Sequence, residues 1–565
     1  MKSQIVQMKT LTVGVLALMS VSATNAQNKP TKIIAGADTL ITSNRTWDAD
    51  TIYFLGGKVY VTNGAELTIQ PGTVITGDTI TKGALLNTRG SKIHATGTPI
   101  CPIVFTSSKG TGKRNRGDWG GVILLGNASV NTPTGTANIE GLPASSLTQY
   151  GGGLAPNDND NSGELKYVRI EYAGVAFAPN NEINGLTFGS VGRGTTIDFV
   201  QVSYANDDSF EWFGGTVNCK HLIAFRGIDD DFDTDNGFSG RLQFGIGLRD
   251  PLVADVSGSN GFESDNDALG SSNPPQTRAV FSNFTISAGS DSATNALFNN
   301  GARIRRNSHQ YIYNSILMGY PTGLLADGTA SNSNFEVDTL VSNNIIAAKQ
   351  SAKWVVSNTN NTNVTTLLLN NAGNRFFTGN AGGVALVRPY SLTNPNFKPA
   401  AGSPARTGGN FNHIGLVNDA FFTKTNYVGA IGPKAADNWA TSWVNFNPGS
   451  TDYKSVNANC ATAKAAAVVV ASEIKAEKAL GAASAVISPN PAKGGAFKIN
   501  ISGLSGNVSI RVTNMNGALV YNKAVANSAK MSSVNVNLVN APAGLYFVTV
   551  SNGKQSTTQK VNIIQ

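Results

Sequence analysis

The sequence predicts an all-β protein, a long solenoid of stacked β coils followed by a small antiparallel β-sandwich. Strand-length apolar or alternating runs recur throughout, each punctuated by Gly, Pro or Asn, and no helix of four turns separates them. Fragments also return at a fixed spacing: Asp207-Asp208-Ser209-Phe210 comes back as Asp229-Asp230-Asp231-Phe232 after 22 residues, and Asn236-Gly237-Phe238 as Asn260-Gly261-Phe262 after 24. Repeats of this size, each with one short apolar run, belong to coils that bury their faces only by stacking. Without crossover helices, parallel pairing has to come from coiling.

Composition agrees. Only 14% of the 565 residues are charged and Gly numbers 61, which suits a β protein rich in turns. The net charge of +8 invites a nucleic-acid reading, but its distribution removes it. Residues 486–565 hold seven Lys or Arg and no Asp or Glu, and Lys2 and Lys9 lie at the extreme N-terminus, so the remainder is close to neutral. A phosphate-binding patch needs clustered cations on the working domain, and the body has none.

In chain order, residues 1–26 read as a secretory signal: Lys9, an apolar run from Leu11 to Val21, then Thr24-Asn25-Ala26. The run is too short for a transmembrane segment. Residues 27–455 form the body, whose runs include Leu67-Thr68-Ile69, Ile103-Val104-Phe105, Val122-Ile123-Leu124-Leu125 and Val200-Gln201-Val202. Coils of about 22 residues predict roughly 12–16 of them. Asn283, Asn314 and Asn343 are expected to be turn or ladder asparagines whose amides bond the coils above and below. Trp439, Trp443 and Phe446 are expected to cap the last coil, which needs apolar cover. Of the three cysteines, Cys101 and Cys219 read as small buried apolar residues, and Cys460 completes an odd count. Residues 456–485 are an Ala-rich linker. Residues 486–565, with Asn516-Gly517 and Asn552-Gly553 turns between alternating runs, describe a sandwich of about seven short strands.

The style of the body resembles the right-handed parallel β-helix of the pectin-lyase-like superfamily, which implies a fold and not an activity. The run from Ser488-Pro489-Asn490-Pro491 through Ala543-Gly544-Leu545-Tyr546-Phe547 to Gln559-Lys560-Val561 is similar to the type A C-terminal sorting domain of the bacterial type IX secretion system. That resemblance implies passage to the cell surface by the type IX machinery and removal of the module there. The body would then be released or left attached to surface lipopolysaccharide.

The stretch 205–268 carries the chemistry. Asp229, Asp231, Asp233 and Asp235 alternate, so an extended chain turns them to one side and Asp230 to the other. Stacked coils add Asp207, Asp208, Glu263 and Asp265, with Asp267 close by, and so many carboxylates call for a counter-cation. Calcium, a hard oxygen-seeking ion, is the expected one. Asp231-x-Asp233-x-Asp235 opens like an EF-hand loop, but Asn236 stands at its sixth position and Leu242 at its twelfth, so a complete EF-hand is excluded. The alternative to an ion is that these acids are solvated turn residues capping the coil corners, with salt bridges to Arg226 or Arg249.

The leading functional expectation is non-catalytic binding of glycans or surface partners, with calcium as a structural ion. A calcium-assisted polysaccharide lyase is the alternative, with Arg226, Arg249 or Lys220 as the base, or a glycoside hydrolase using paired Asp residues. A structural surface protein is the third reading. Neither enzyme family's diagnostic motif is present.

Overall fold

The computed structural model describes residues 28–455 apart from 35–37, 179–180, 292–294, 339, 379–380 and 414; then Cys460; then 484–565 apart from 503, 505, 516, 528–530 and 554. The expected signal segment and most of the expected linker lie outside the described residues. The chain divides into two compact units, Met1–Cys460 and Ala461–Gln565.

The first unit is a parallel β-helix. Each early winding contributes three short strands, such as Thr31–Ile34, Asp38–Ile41 and Arg45–Trp47, and the next winding lies in register on it, Thr31 opposite Ile52 and Asp38 opposite Lys58. The middle strands form one eleven-stranded parallel sheet ending at Val355–Ser357. Among the described residues the neighbouring column stacks twelve strands, from Thr31–Ile34 to Arg375–Thr378, which is the low end of the roughly 12–16 coils expected. Residues beyond these windings form an excursion over 132–162 and a long segment after Leu386.

Because equivalent positions of successive windings sit about 4.8 Å apart, like side chains stack on like. Phe210 stacks on Phe232 at 5.4 Å between ring centres, Phe232 on Phe262 at 5.7 Å, and Phe188 on Trp212 at 5.2 Å, all buried. The 22-residue repeat is one winding, since Phe210 lies opposite Phe232. The 24-residue repeat is not: Phe262 lies opposite Phe232, 30 residues away, because the loop after Leu248 lengthens that winding.

From Gly163–Glu171 to Val280–Ser287, two strands of adjacent windings fuse into one long strand bent at a single residue, and in the next two windings the same bend separates two short strands. The bend residues are Tyr167, Phe199, His221, Phe244, Asn283, Asn314 and Asn343, every one left-handed, with φ between 51° and 66°. Register places them in one column along the helix. Asn tolerates this conformation, whereas aromatic residues rarely adopt it. Here the rings compensate by stacking, Tyr167 on Phe199 at 4.5 Å and Phe199 on His221 at 4.2 Å.

The segment from about 407 to Cys460 runs back along this column as a strap, and it corrects one expectation and adds to another. Trp439, Trp443 and Phe446 do not cap the last coil. Trp439 packs on His221, Trp443 on Tyr167 and Phe199, and Phe446 on Phe225, all midway along the body. The far end is covered instead by Phe335 of the helix Thr329–Val337, Val364 of the helix Thr362–Thr366, and Leu368. The ladder asparagines do bond neighbouring windings, Asn283 accepting from Gln243 and Asn314 donating to Ser282, but most of their bonds go to the strap. Asn314 accepts from the Asn410 backbone N–H at 2.8 Å and donates to its carbonyl at 2.9 Å. Gln243 clamps Thr423 in the same two-bond way, and Gln201 clamps Asn445. Beyond Tyr453, whose hydroxyl donates to buried Glu171, the strap ends in a disulfide from Cys460 to Cys101. Cys101 is therefore buried but not free, while Cys219 is a buried free thiol as expected. A side chain is a poor guide to such a partner 359 residues away.

Among the described residues the second unit has eight strands. Ser484–Ser488, Ala496–Ser502 and Met531–Asn537 make one antiparallel sheet. Ala492–Lys493, Gly506–Asn514, Leu519–Asn527, Gly544–Ser551 and Ser556–Ile564 make the other. Alternate residues such as Phe497, Ile499 and Ile501 turn into a shared core with Val508, Ile510 and Val548.

Replacing Cys460 by Ser is expected to lower the melting midpoint of the body, by an amount corresponding to about 2–5 kcal/mol, and to open residues 448–455 to protease. An unchanged melt and cleavage pattern would show that the strap's hydrogen bonds alone hold it.

Candidate metal-binding cleft

The outer face of the eleven-stranded sheet holds a cleft of about 230 Å³, lined by eleven carboxylates and three arginines. Parallel register builds its floor. In the strand Phe232–Asp235, Phe232 and Thr234 are buried while Asp233 and Asp235 face outward. Glu211 occupies the same position one winding earlier, Glu263 one winding later, and Arg303 the next. The preceding turns supply Asp207, Asp208, Asp229 and Asp230. Asp208 Oδ1 accepts from the Asp230 backbone N–H at 2.7 Å, and Asp230 in turn accepts from the Asn260 N–H. Glu140 of the 132–162 excursion and Glu182 of the strand Asn181–Ile183 also line the cleft.

The expected facing of the Asp run is corrected in one respect. Asp229, Asp233 and Asp235 do share the cleft, but Asp230 joins them and Asp231 leaves. Strand alternation begins only at Phe232; residues 229–231 are a turn, where period two does not apply. Asp231 is wholly buried and ion-paired at 3.2 Å with Arg249, also wholly buried. Arg249 donates further to the carbonyls of Asn260 and Ile228, and its guanidinium lies 5.4 Å from the Phe298 ring centre. Gly247 makes room, since a Cβ there would sit 2.5 Å from Asp231 Oδ2. Asp267 stands apart, accepting from the backbone N–H of Leu269 and Ser271.

Three sets of carboxylates have one oxygen each within 4.8 Å of the others: Asp207, Asp208 and Asp229; Asp208, Glu211 and Asp233; and Asp230, Asp233 and Glu263. The arginines crowd one end. Glu263 and Asp265 both pair with Arg305, Arg303 reaches Glu263 and Asp327, and Arg306 reaches Asp265 at 2.8 Å. The end built from Asp207, Asp208, Glu211 and Asp229 has no arginine in contact among the described residues.

The electrostatics follow. Two carboxylates about 5 Å apart repel by about 3 kcal/mol at an effective dielectric of about 20. Burial, then neighbouring charge, pushes the carboxyls upward: Asp229 to about 7 with Asp255 beside it, and Asp230 to about 8 with Asp229 beside it. Burial and then Asp265 push Asp235 to about 8. Asp207, Asp208, Glu211 and Asp233 are raised well above the ordinary carboxylate range, again by burial and then by neighbouring carboxylates, chiefly Asp229, Asp230, Glu140 and Glu263 respectively. Hard oxygen donors that repel at this density are the donor set a divalent cation takes.

The arginine and lysine expected as base candidates lie elsewhere. Arg226 pairs with Asp250 and stacks 5.0 Å from the Tyr204 ring centre, Arg249 is in the core, and Lys220 donates to Thr423 of the strap. Glu140, Glu182, Asn184, Glu211 and the three cleft arginines were not foreseen. Glu211 was legible, since it precedes Asp233 by the same 22 residues that relate Asp208 to Asp230. A larger open groove of about 710 Å³ adjoins the cleft, shares Ser257 and Arg303 with it, and is lined by Asn299, Thr322, Lys349, Gln350 and Lys353 among others.

Comparison with known proteins gives two family matches. Residues 39–386 match a model described as a pectate-lyase like beta helix domain, and residues 486–565 one described as a secretion system C-terminal sorting domain. No curated protein matches the chain. Among solved structures, PorZ of Porphyromonas gingivalis, described as a surface component of the type-IX secretion system, aligns at 22% identity. The alignment covers 14% of this chain and 12% of PorZ, with a TM-score of 0.12 that carries no structural argument. Among the described residues no helix is long and apolar enough to cross a membrane.

Carboxyls whose folded values are raised bind more protons in the folded than in the unfolded chain between about pH 4 and 8, so stability falls as pH rises through that window. In chelator, the melting midpoint of the body is expected to drop from pH 5 to pH 8; a flat or rising profile would contradict the cleft electrostatics. Separately, Arg249→Met should destabilise by about 3–5 kcal/mol by stranding Asp231, measured by denaturant melts, and the double change with Asp231→Leu should recover most of the loss.

Proposed function

The chain belongs to the pectate-lyase-like beta helix family and is a type IX cargo delivered to the cell surface or the medium, and from that premise we propose that its body binds glycans without catalysis, with calcium held in the acidic cleft. The observation that carries this reading is the one-sided balance of the cleft, where the arginines neutralise Glu263 and Asp265 and leave the Asp207, Asp208, Glu211, Asp229 and Asp233 end to a cation. Calcium takes six to eight oxygens and is abundant outside cells, where this chain is sent. The adjoining groove offers amide, hydroxyl and ammonium groups from Asn299, Thr322, Gln350, Lys349 and Lys353, the groups that pair with sugar hydroxyls and acidic substituents. On this reading the body, once freed of its sorting domain, is released or stays attached to surface lipopolysaccharide.

A calcium-assisted lyase remains the second reading, favoured by Arg303, Arg305 and Arg306 lining the same cleft as the carboxylates. Against it, although burial opposes its charge, the Glu263 and Asp265 carboxylates hold the Arg305 guanidinium protonated more firmly than usual, which is the wrong direction for a base.

A glycan array probed with the full chain should show retention that weakens in EDTA. Silence across the array would reject glycan binding in favour of a structural role. A rise in absorbance near 235 nm on polyuronate would mark an unsaturated product and overturn the non-catalytic reading.

A further inference from the structure

We propose that the cleft holds two calcium ions bridged by Asp208, an inference that rests on the calcium reading above and adds its stoichiometry and ligand assignment. The first position is Asp207, Asp208 and Asp229, and the second is Asp208, Glu211 and Asp233. Within each set the oxygens lie no more than 4.8 Å apart, a span that two ligands of one ion at 2.3–2.6 Å can bridge. Asp208 belongs to both sets. A carboxylate has about four lone-pair sites, so after accepting the Asp230 N–H it retains capacity for an ion on each side.

Asn184 points to a ligand independently of the carboxylates. It is 1% exposed and lines the cleft, and its Nδ2 donates to Glu211 and Glu140, yet its Oδ1 has no partner. Oδ1 of Asp233 and of Asp229 are likewise enclosed and unpartnered. Apart from the arginines at the far end, the ionisable groups around these atoms are acceptors, so a cation satisfies what no neighbour does.

Charge decides for two ions over one. The two positions together contain five carboxylates. One calcium leaves three of those charges uncompensated, whereas two leave a single charge. The third set, Asp230, Asp233 and Glu263, takes no ion because Arg303 and Arg305 already hold Glu263.

The test is to strip the full-length protein with chelator, titrate it with calcium chloride alone, and count bound ions by calorimetry and native mass spectrometry. Two ions per chain are expected. One ion would overturn the bridged pair while leaving the calcium reading standing; none would overturn the calcium reading itself; three would overturn the arginines as substitutes for an ion. Glu211→Gln should leave one ion, and Asp208→Asn should weaken both at least tenfold. Asp231→Asn, in the core, should leave the count at two. Melts in chelator check that each variant folds, and should Asp208→Asn fail to fold, the wild-type count and Glu211→Gln still decide.

Discussion

Everything in the body depends on in-register parallel stacking, in which each winding lies about 4.8 Å from the last. Backbone hydrogen bonds set that distance, and it leaves each residue type answerable to its own kind. Inside, the rule is favourable: Phe210, Phe232 and Phe262 form one continuous stack, and aromatic pairs of this sort stabilise beyond the area they bury. Outside, the same rule is unfavourable for charge. It places Glu211, Asp233 and Glu263 in one line, where no rotamer separates them fully. A side chain of opposite sign at the same position relieves the strain, as Arg303 does one winding on, and so does a ligand.

The left-handed bend column shows how the fold manages a second cost of regular coiling. Seven successive bends use a backbone conformation that only Gly and Asn adopt readily. Aromatic stacking and the strap hold it in place. Side-chain amides of Gln201, Gln243 and Asn314 treat single strap residues as though they were another strand, satisfying N–H and C=O together. The strap thus covers polar corner groups that stacking alone would leave without partners, and its disulfide ties the end of the strap to the turn before Ile103–Ser107.

Two buried acids in adjacent positions meet opposite fates for a physical reason. Asp231 enters the core because Gly247 leaves a space and Arg249, itself anchored by the Asn260 and Ile228 carbonyls, supplies the opposite charge. Asp230, next to it, caps the following turn from the cleft side by accepting from Asn260. The turn geometry of 229–231 sends consecutive carboxylates to opposite sides of the sheet, so one becomes a stability element and the other part of a binding surface.

Much of this was legible in the residues themselves. Apolar period, glycine punctuation and the 22-residue return determined an all-β solenoid, its register through Asp208 and Asp230, the acidic column and the separate terminal sandwich. These are local or nearest-winding properties, written into short runs. Only the tertiary structure decided which carboxylates converge, that Asp231 is a core residue, that Glu140 and Glu182 join from excursions, and that Cys101 pairs with Cys460. Those outcomes depend on loops of irregular length and on contacts hundreds of residues apart, where neither period nor spacing carries the information and only the folded path brings the partners together.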